Sequence, residues 1–106
     1  MKEYRLHLDP NGRPSGAVPP SDTIYALVLS ASTEKTVTVP EGAKLVKFAS
    51  TGVFYARPDG TVAVPGSDIT DGTAGEIKPE MWIVNDVTDI HLISSSGIKV
   101  TLSFYE

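Results

Sequence analysis

The sequence predicts an all-β protein, a single-domain β-sandwich or jelly roll of about seven or eight short antiparallel strands with an extended N-terminal arm. Three observations predict it. Short apolar segments alternate with polar residues at a period of two, as in "GIKVTLSFY" at 97–105. Residues that tolerate φ > 0 or preset a turn separate these segments at regular intervals. No window carries apolar residues at i, i+3, i+4 and i+7 over three turns, and eight prolines and nine glycines interrupt any long helix.

The elements follow in chain order. "YRLHL" is a candidate strand with Tyr4, Leu6 and Leu8 on one side. Residues 9–23, "DPNGRPSGAVPPSDT", hold four prolines and two glycines and read as an extended arm, so the domain is expected over 24–106 with residues 1–23 as strand and arm. "TIYALVLSA" is apolar on both faces, which suits a central strand covered twice. "TVTV" at 36–39 alternates on Val37 and Val39, and "KLVKFAS" sets Val46 and Phe48 opposite Lys47. "GVFYAR", "MWIVN" and "DIHLIS" are short, rich in β-branched and aromatic residues, and bounded by turn residues. A single helical turn is expected near Pro79–Met81. In the closing strand Ile98, Val100, Leu102 and Phe104 alternate with Lys99, Thr101, Ser103 and Tyr105, which puts one set on a buried face and the other on a wetter one.

At 106 residues the chain is the size of one domain and can bury a real core without staples. The absence of cysteine removes disulfides, thiolate metal sites and thiol nucleophiles. No apolar run approaches the ~18 residues of a membrane helix, and "MKEYRLHLDPNG" has no apolar signal core. The reading is a soluble protein made inside a cell, and kept or assembled there. The net charge of −4 is uneven: residues 1–57 hold seven Lys/Arg against five Asp/Glu (+2), and residues 58–106 hold two against eight (−6). An acidic chain without a basic stripe is a poor nucleic-acid binder. The asymmetry offers copies of the chain a basic-to-acidic contact, or is scattered over a solvated surface.

The chemistry of sites centres on "GSDITDGTAGEIKPE", residues 66–80, with four carboxylates, three glycines and one lysine. A calcium loop of the EF-hand type needs ligands at positions 1, 3 and 5, Gly at 6 and Glu at 12. Counting from Asp68, Asp71 is fourth, Gly72 fifth and Pro79 twelfth, so the pattern fails, and no metal or cofactor is expected. Paired glycosidase carboxylates need a fixed separation across a cleft, and these loop acids have no evident scaffold. A solvated acidic loop with Asx turns fits better. His7 lies near the terminus and His91 alternates outward between Ile90 and Leu92, with no nucleophile elbow or phosphate loop in the chain. Trp82 in "MWIV" suits a core or a subunit contact better than a sugar platform. No enzymatic activity is expected.

The segments "TVTVPEGAKLVKFASTGVFYARPDGTVAVPGSDITDGTAGEIKPE" and "VTDIHLISSSGIKVTLSFYE" resemble a set of small virion proteins of tailed bacteriophages. The shared features, in order, are the V-P-x-G-A turn at Val39–Ala43, Phe48–Ala49, Phe54–Tyr55 and Ala63–Pro65, then Asp68–Ala74, Ile90–Ile93 and Phe104–Tyr105. The likeness covers residues 36–105 and does not extend to the first thirty. It implies a structural role as a capsid decoration (cement) protein or another accessory virion subunit. The implied partners are the major capsid protein and copies of the chain itself, as a dimer or trimer, and the implied place is the capsid exterior after synthesis in the bacterial cytoplasm. Negative charge suits the outside of a DNA-filled shell better than its inside. On this reading Gly66–Glu80 is an assembly surface. The expected contact residues are Asp68, Asp71, Glu76, Glu80 and Trp82, with Tyr4, Leu6 and Leu8 of the arm pairing to a sheet edge of their own or a neighbouring chain.

Two other classes remain open. A tail or host-attachment module that binds carbohydrate on a β-sandwich would show an exposed Trp82 or a row of exposed Tyr25, Tyr55 and Tyr105. A small jelly-roll hydrolase would bring His91 together with two of the acids.

Overall fold

The computed structural model describes residues 1–4, 10–12 and 18–106, and the regular structure among them is strand. The strands are β1 (Thr23–Leu29), β2 (Lys35–Thr38), β3 (Leu45–Ser50), β4 (Tyr55–Pro58), β5 (Glu76–Ile77), β6 (Met81–Ile83), β7 (Asp89–Ile93) and β8 (Ile98–Tyr105). They form two four-stranded antiparallel sheets in the orders β1-β8-β3-β6 and β2-β7-β4-β5. First pairs with last, second with seventh, third with sixth and fourth with fifth. A long antiparallel ribbon rolled on itself gives this pairing, with alternate pairs falling into opposite sheets.

The period of two in the sequence decides what each strand buries. In β8 Ile98, Val100, Leu102 and Phe104 are buried, whereas Lys99 is exposed and Thr101 and Ser103 are half-buried. Val46 and Phe48 of β3 and Leu29 of β1 join them from one sheet; Val37 of β2, Ala56 of β4, and Ile90 and Leu92 of β7 come from the other. These residues form one core between the two layers, which makes the molecule a β-sandwich. Aromatic edges lock it: Tyr25 meets Phe104 at 5.1 Å and Phe48 meets Trp82 at 5.0 Å between ring centroids.

Turn chemistry works locally as the sequence indicates. Gly42 in "PEGA" has φ = 85°, a region open to glycine, and lets the Ala43 amide donate back to the Pro40 carbonyl at 3.1 Å. Asp59 of "PDG" accepts the Thr88 and Asp89 amides on one carboxylate oxygen, at 3.0 and 2.9 Å, which ties the β4 turn to the start of β7.

The structure departs from the sequence reading in three places. β1 is an edge strand, not a doubly covered central one: Tyr25, Leu27 and Leu29 turn inward, while Ile24 and Val28 stand 55% and 62% exposed. Pro79–Met81 is not a helical turn but the entry to β6, because the Phe48 amide donates to the Glu80 carbonyl and draws this segment into the sheet. The acidic stretch, read as loop throughout, contains the two-residue strand β5. Of "YRLHL", only Tyr4 is among the described residues.

The described ends of the arm lie on their own domain. Glu106 exchanges hydrogen bonds with Lys2 and Tyr4, donating to the Lys2 carbonyl at 2.9 Å and accepting from the Tyr4 amide at 3.3 Å. Residues 2–4 therefore lie beside the end of β8, beyond the point where β1 stops pairing with it. Tyr105, expected on the wetter face, points away from the inner core as its register requires but is fully buried, beneath the edge of Tyr4 at 5.5 Å, and its hydroxyl donates to the Pro19 carbonyl at 2.7 Å.

Candidate assembly surface

The stretch Gly66–Glu80 leaves the globule after β4 and returns through β5 into β6. Its tip is an Asx turn. Asp71 accepts the Thr73 hydroxyl at 2.6 Å and the Thr73 amide at 3.0 Å, with Gly72 between them at φ = 88°. These two bonds, with a smaller contribution from Arg57, hold the Asp71 carboxyl below the usual carboxylate range. The solvated acidic loop with Asx turns read from the sequence is present, and its tip is hydrogen-bonded.

The returning limb is fastened through Trp82. β6 pairs with β3 so that Trp82 lies opposite Val46, turned toward the core side. There the indole is half-buried against the edge of Phe48, and its Nε1–H donates to Glu76 Oε2 at 2.6 Å. That bond bridges the edge strands β5 and β6 of the two sheets, and the charged acceptor makes it stronger than a neutral pair. An open groove of about 510 Å³ runs along this bridge, lined among others by Ala56, Arg57, Glu76, Met81, Trp82 and Val87.

The sequence-predicted residues fall into three groups. Glu76 and Trp82 are brought into direct contact. Asp68, Asp71 and Glu80 are exposed along the same stretch, and Asp68 and Glu80 have no ion partner among the described residues. Tyr4 is half-buried on Tyr105 of its own chain, and Leu6 and Leu8 lie outside the described residues. Sequence reasoning missed the aliphatic residues around the stretch: Ile69, Ile77, Met81 and Ile83 are 37%, 59%, 40% and 75% exposed. Ile77, Met81 and Ile83 are revealed only by their position on two short edge strands, and the pairing order is not written in the local pattern; Ile69 lies in the connection before β5.

Features named for the other classes do not assemble. Tyr25 and Tyr55 are half-buried and Tyr105 fully buried, so they make no exposed aromatic row. His91 faces one acid, Glu34, which lies outside the acidic stretch: its Nδ1 is 2.9 Å from Glu34 Oε1 and 3.2 Å from Thr36 Oγ1. Glu34 Oε2 accepts the Val62 amide at 3.0 Å, so this cluster ties the β1–β2 connection to the loop after β4. Among the described residues no three His, Asp or Glu side chains lie close enough together to hold a metal ion. Compared with protein-family models, with curated proteins and with solved structures, the chain finds no match.

Proposed function

We propose that this protein is a non-enzymatic structural subunit of a bacteriophage virion, a decoration (cement) protein that binds major capsid subunits on the outside of the head. On this reading its fold is a jelly roll, since the rolled-ribbon pairing of eight strands is the order that such folds use. The observation that supports the role is the shaped acidic stretch. Gly66–Glu80 is fastened to the sandwich by the Trp82–Glu76 bond and shaped at its tip by the Asp71 turn, yet presents Asp68, Glu80, Ile69 and Ile77 to the outside. A surface that is ordered before it meets a partner loses less conformational entropy on binding. Charged groups beside aliphatic ones suit a specific protein contact. The resemblance of residues 36–105 to small phage virion proteins names the kind of partner.

The test is co-sedimentation of the purified chain with capsid shells that lack it. The expected result is saturable binding at a fixed number of copies per shell, together with shells that resist heating or loss of DNA better than bare ones. A chain that stays in the supernatant at every concentration overturns the proposal.

A further inference from the structure

The outward side of the β1-β8-β3-β6 sheet has an unusual composition for so acidic a chain. From the register, Ile24, Ala26 and Val28 of β1 stand on that side opposite Ser103, Thr101 and Lys99 of β8. Lys47 and Ala49 of β3 follow, then Met81 and Ile83 of β6. None of the strand residues on this side is a carboxylate, although the chain holds thirteen Asp/Glu against nine Lys/Arg. Ile24, Val28 and Ile83 are each more than half exposed, and neither Lys47 nor Lys99 has a carboxylate partner among the described residues. The face is therefore apolar and cationic, and among the described residues it is covered only at the Tyr105 end, where Tyr4 and Pro19 lie.

The complementary surface is the acidic stretch of the same molecule, which runs into the β6 edge of this sheet through Glu80. Asp71 feels the Arg57 guanidinium, and Arg57 sits on β4 opposite His91, on the outward side of the β2-β7-β4-β5 sheet. Asp68 and Glu80 of that acidic stretch have no ion partner among the described residues, and Ile69 and Ile77 of the same stretch are exposed. Among the described residues the sheet face thus offers cations without an ion partner beside aliphatic residues, and the acidic stretch beyond its β6 edge offers carboxylates without one beside aliphatic residues.

We infer that the outward face of the β1-β8-β3-β6 sheet docks the acidic Gly66–Glu80 stretch of a second copy of this chain. The inference rests on the reading of that stretch as an assembly surface and names its partner. Two different patches meet, so the contact is head-to-tail and builds rings or short open arrays rather than a two-fold dimer. The sheet face, not the β1 edge, is the docking element. Lys35 Nζ donates to the Val28 carbonyl at 2.9 Å and occupies an acceptor that an added strand would need. Four strands about 4.8 Å apart and some 20 Å long present roughly 400 Å². That is about half of what one partner contributes to a stable interface, so free chains associate weakly and gain strength where a scaffold holds many copies together.

Sedimentation equilibrium of the full chain without shells tests this. The expected result is an average mass that climbs above the monomer as protein approaches millimolar concentration. Lys47→Glu/Lys99→Glu and Asp68→Lys/Glu80→Lys each weaken association at least tenfold, and an equimolar mixture of the two variants restores it, since each supplies the surface the other lacks. Lys47→Gln/Lys99→Gln gives a milder loss in the same direction and stands in if a reversal variant fails to match the wild-type circular dichroism and melt. A wild-type chain that stays monomeric throughout, variants that associate like the wild type, or a mixture that stays monomeric would each overturn the inference. Shell binding is scored separately: a chain that binds shells but never self-associates removes this contact and leaves the decoration role standing.

Discussion

Glu34 shows how a residue without a motif organises part of the structure. Its two carboxylate oxygens are divided between His91 and the Val62 amide, which links two loops at one flank of the sandwich. The hydrogen bond to His91 first, and that from Val62 second, hold its carboxyl below the ordinary glutamate value of 4.5. A carboxylate whose folded-state pKa is depressed contributes stability above its unfolded pKa, and this is lost as pH falls through the folded value. Unfolding free energy should therefore decline below about pH 4.5, and Glu34→Gln should flatten that acid limb while lowering stability at neutral pH. Urea melts of both proteins from pH 7 to pH 3 check this; parallel acid limbs would show that Glu34 is not the group responsible. Gly75 sets a second residue-scale expectation. A Cβ there would lie 2.5 Å from Val62 Cγ2 and 3.3 Å from the Ala56 carbonyl oxygen. The Val62 methyl can shift, but the backbone oxygen cannot, so Gly75→Ala should cost about 1–3 kcal/mol by overpacking. A melt matching the wild type would mean that β5 yields freely.

At the scale of elements, period-two patterning carries most of the information. β8 is legible up to Phe104 because its four inward aliphatic and aromatic side chains alternate with Lys99, Thr101 and Ser103, whereas the burial of Tyr105 comes from Tyr4 and Pro19, far away in sequence. Phe104 is fully buried, so Phe104→Ala should cost on the order of 3–5 kcal/mol. Thr101→Ala and Ser103→Ala, on the half-buried outer side, should stay within roughly 0.5 kcal/mol. Equal costs for all three in chemical denaturation would contradict the observed register. β1 was legible as a strand but not as an edge. An apolar outer face looks the same in sequence whether it is covered by its own chain or left open, and Ile24 and Val28 are open. β5 escaped because two residues carry no period, and β6 was partly misread because Pro79 signals a turn although the Glu80 carbonyl already belongs to the β3 ladder. Within the candidate surface, Asp71 and Glu76 were visible as acids. Their hydrogen bonds to Thr73 and Trp82 depend on how the limb folds back, which no local spacing reports.

At the scale of the whole molecule the remaining question is what the N-terminal residues do. The sequence suggests an arm ordered chiefly by another chain, because "DPNGRPSGAVPP" has little to bury and fixing its backbone costs about 1–2 kcal/mol per residue. The described ends contradict that for residues 1–4 and 18–21. Met1 packs against the core, Tyr4 and Pro19 cover Tyr105, and the Ser21 hydroxyl donates to the Phe104 carbonyl at 2.8 Å. Burial, and then the neighbouring Tyr4, push the Tyr105 phenol above its ordinary value of 10. The neutral phenol is thus favoured in the folded state, and its contribution to stability is lost as pH rises past the ordinary value toward the folded one. A chain beginning at Asp22 exposes Tyr105 and deprives its hydroxyl of Pro19. Burial of one such ring is worth about 1.5–3 kcal/mol. The hydrogen bond adds about 1 kcal/mol, and backbone entropy recovered by the truncation offsets part of the total. The truncated chain should fold but melt earlier than the full chain, and its tyrosine absorbance should titrate at lower pH. If it melts like the full chain and its tyrosines titrate unchanged, residues 1–21 add nothing to the domain and are free to act on a neighbour.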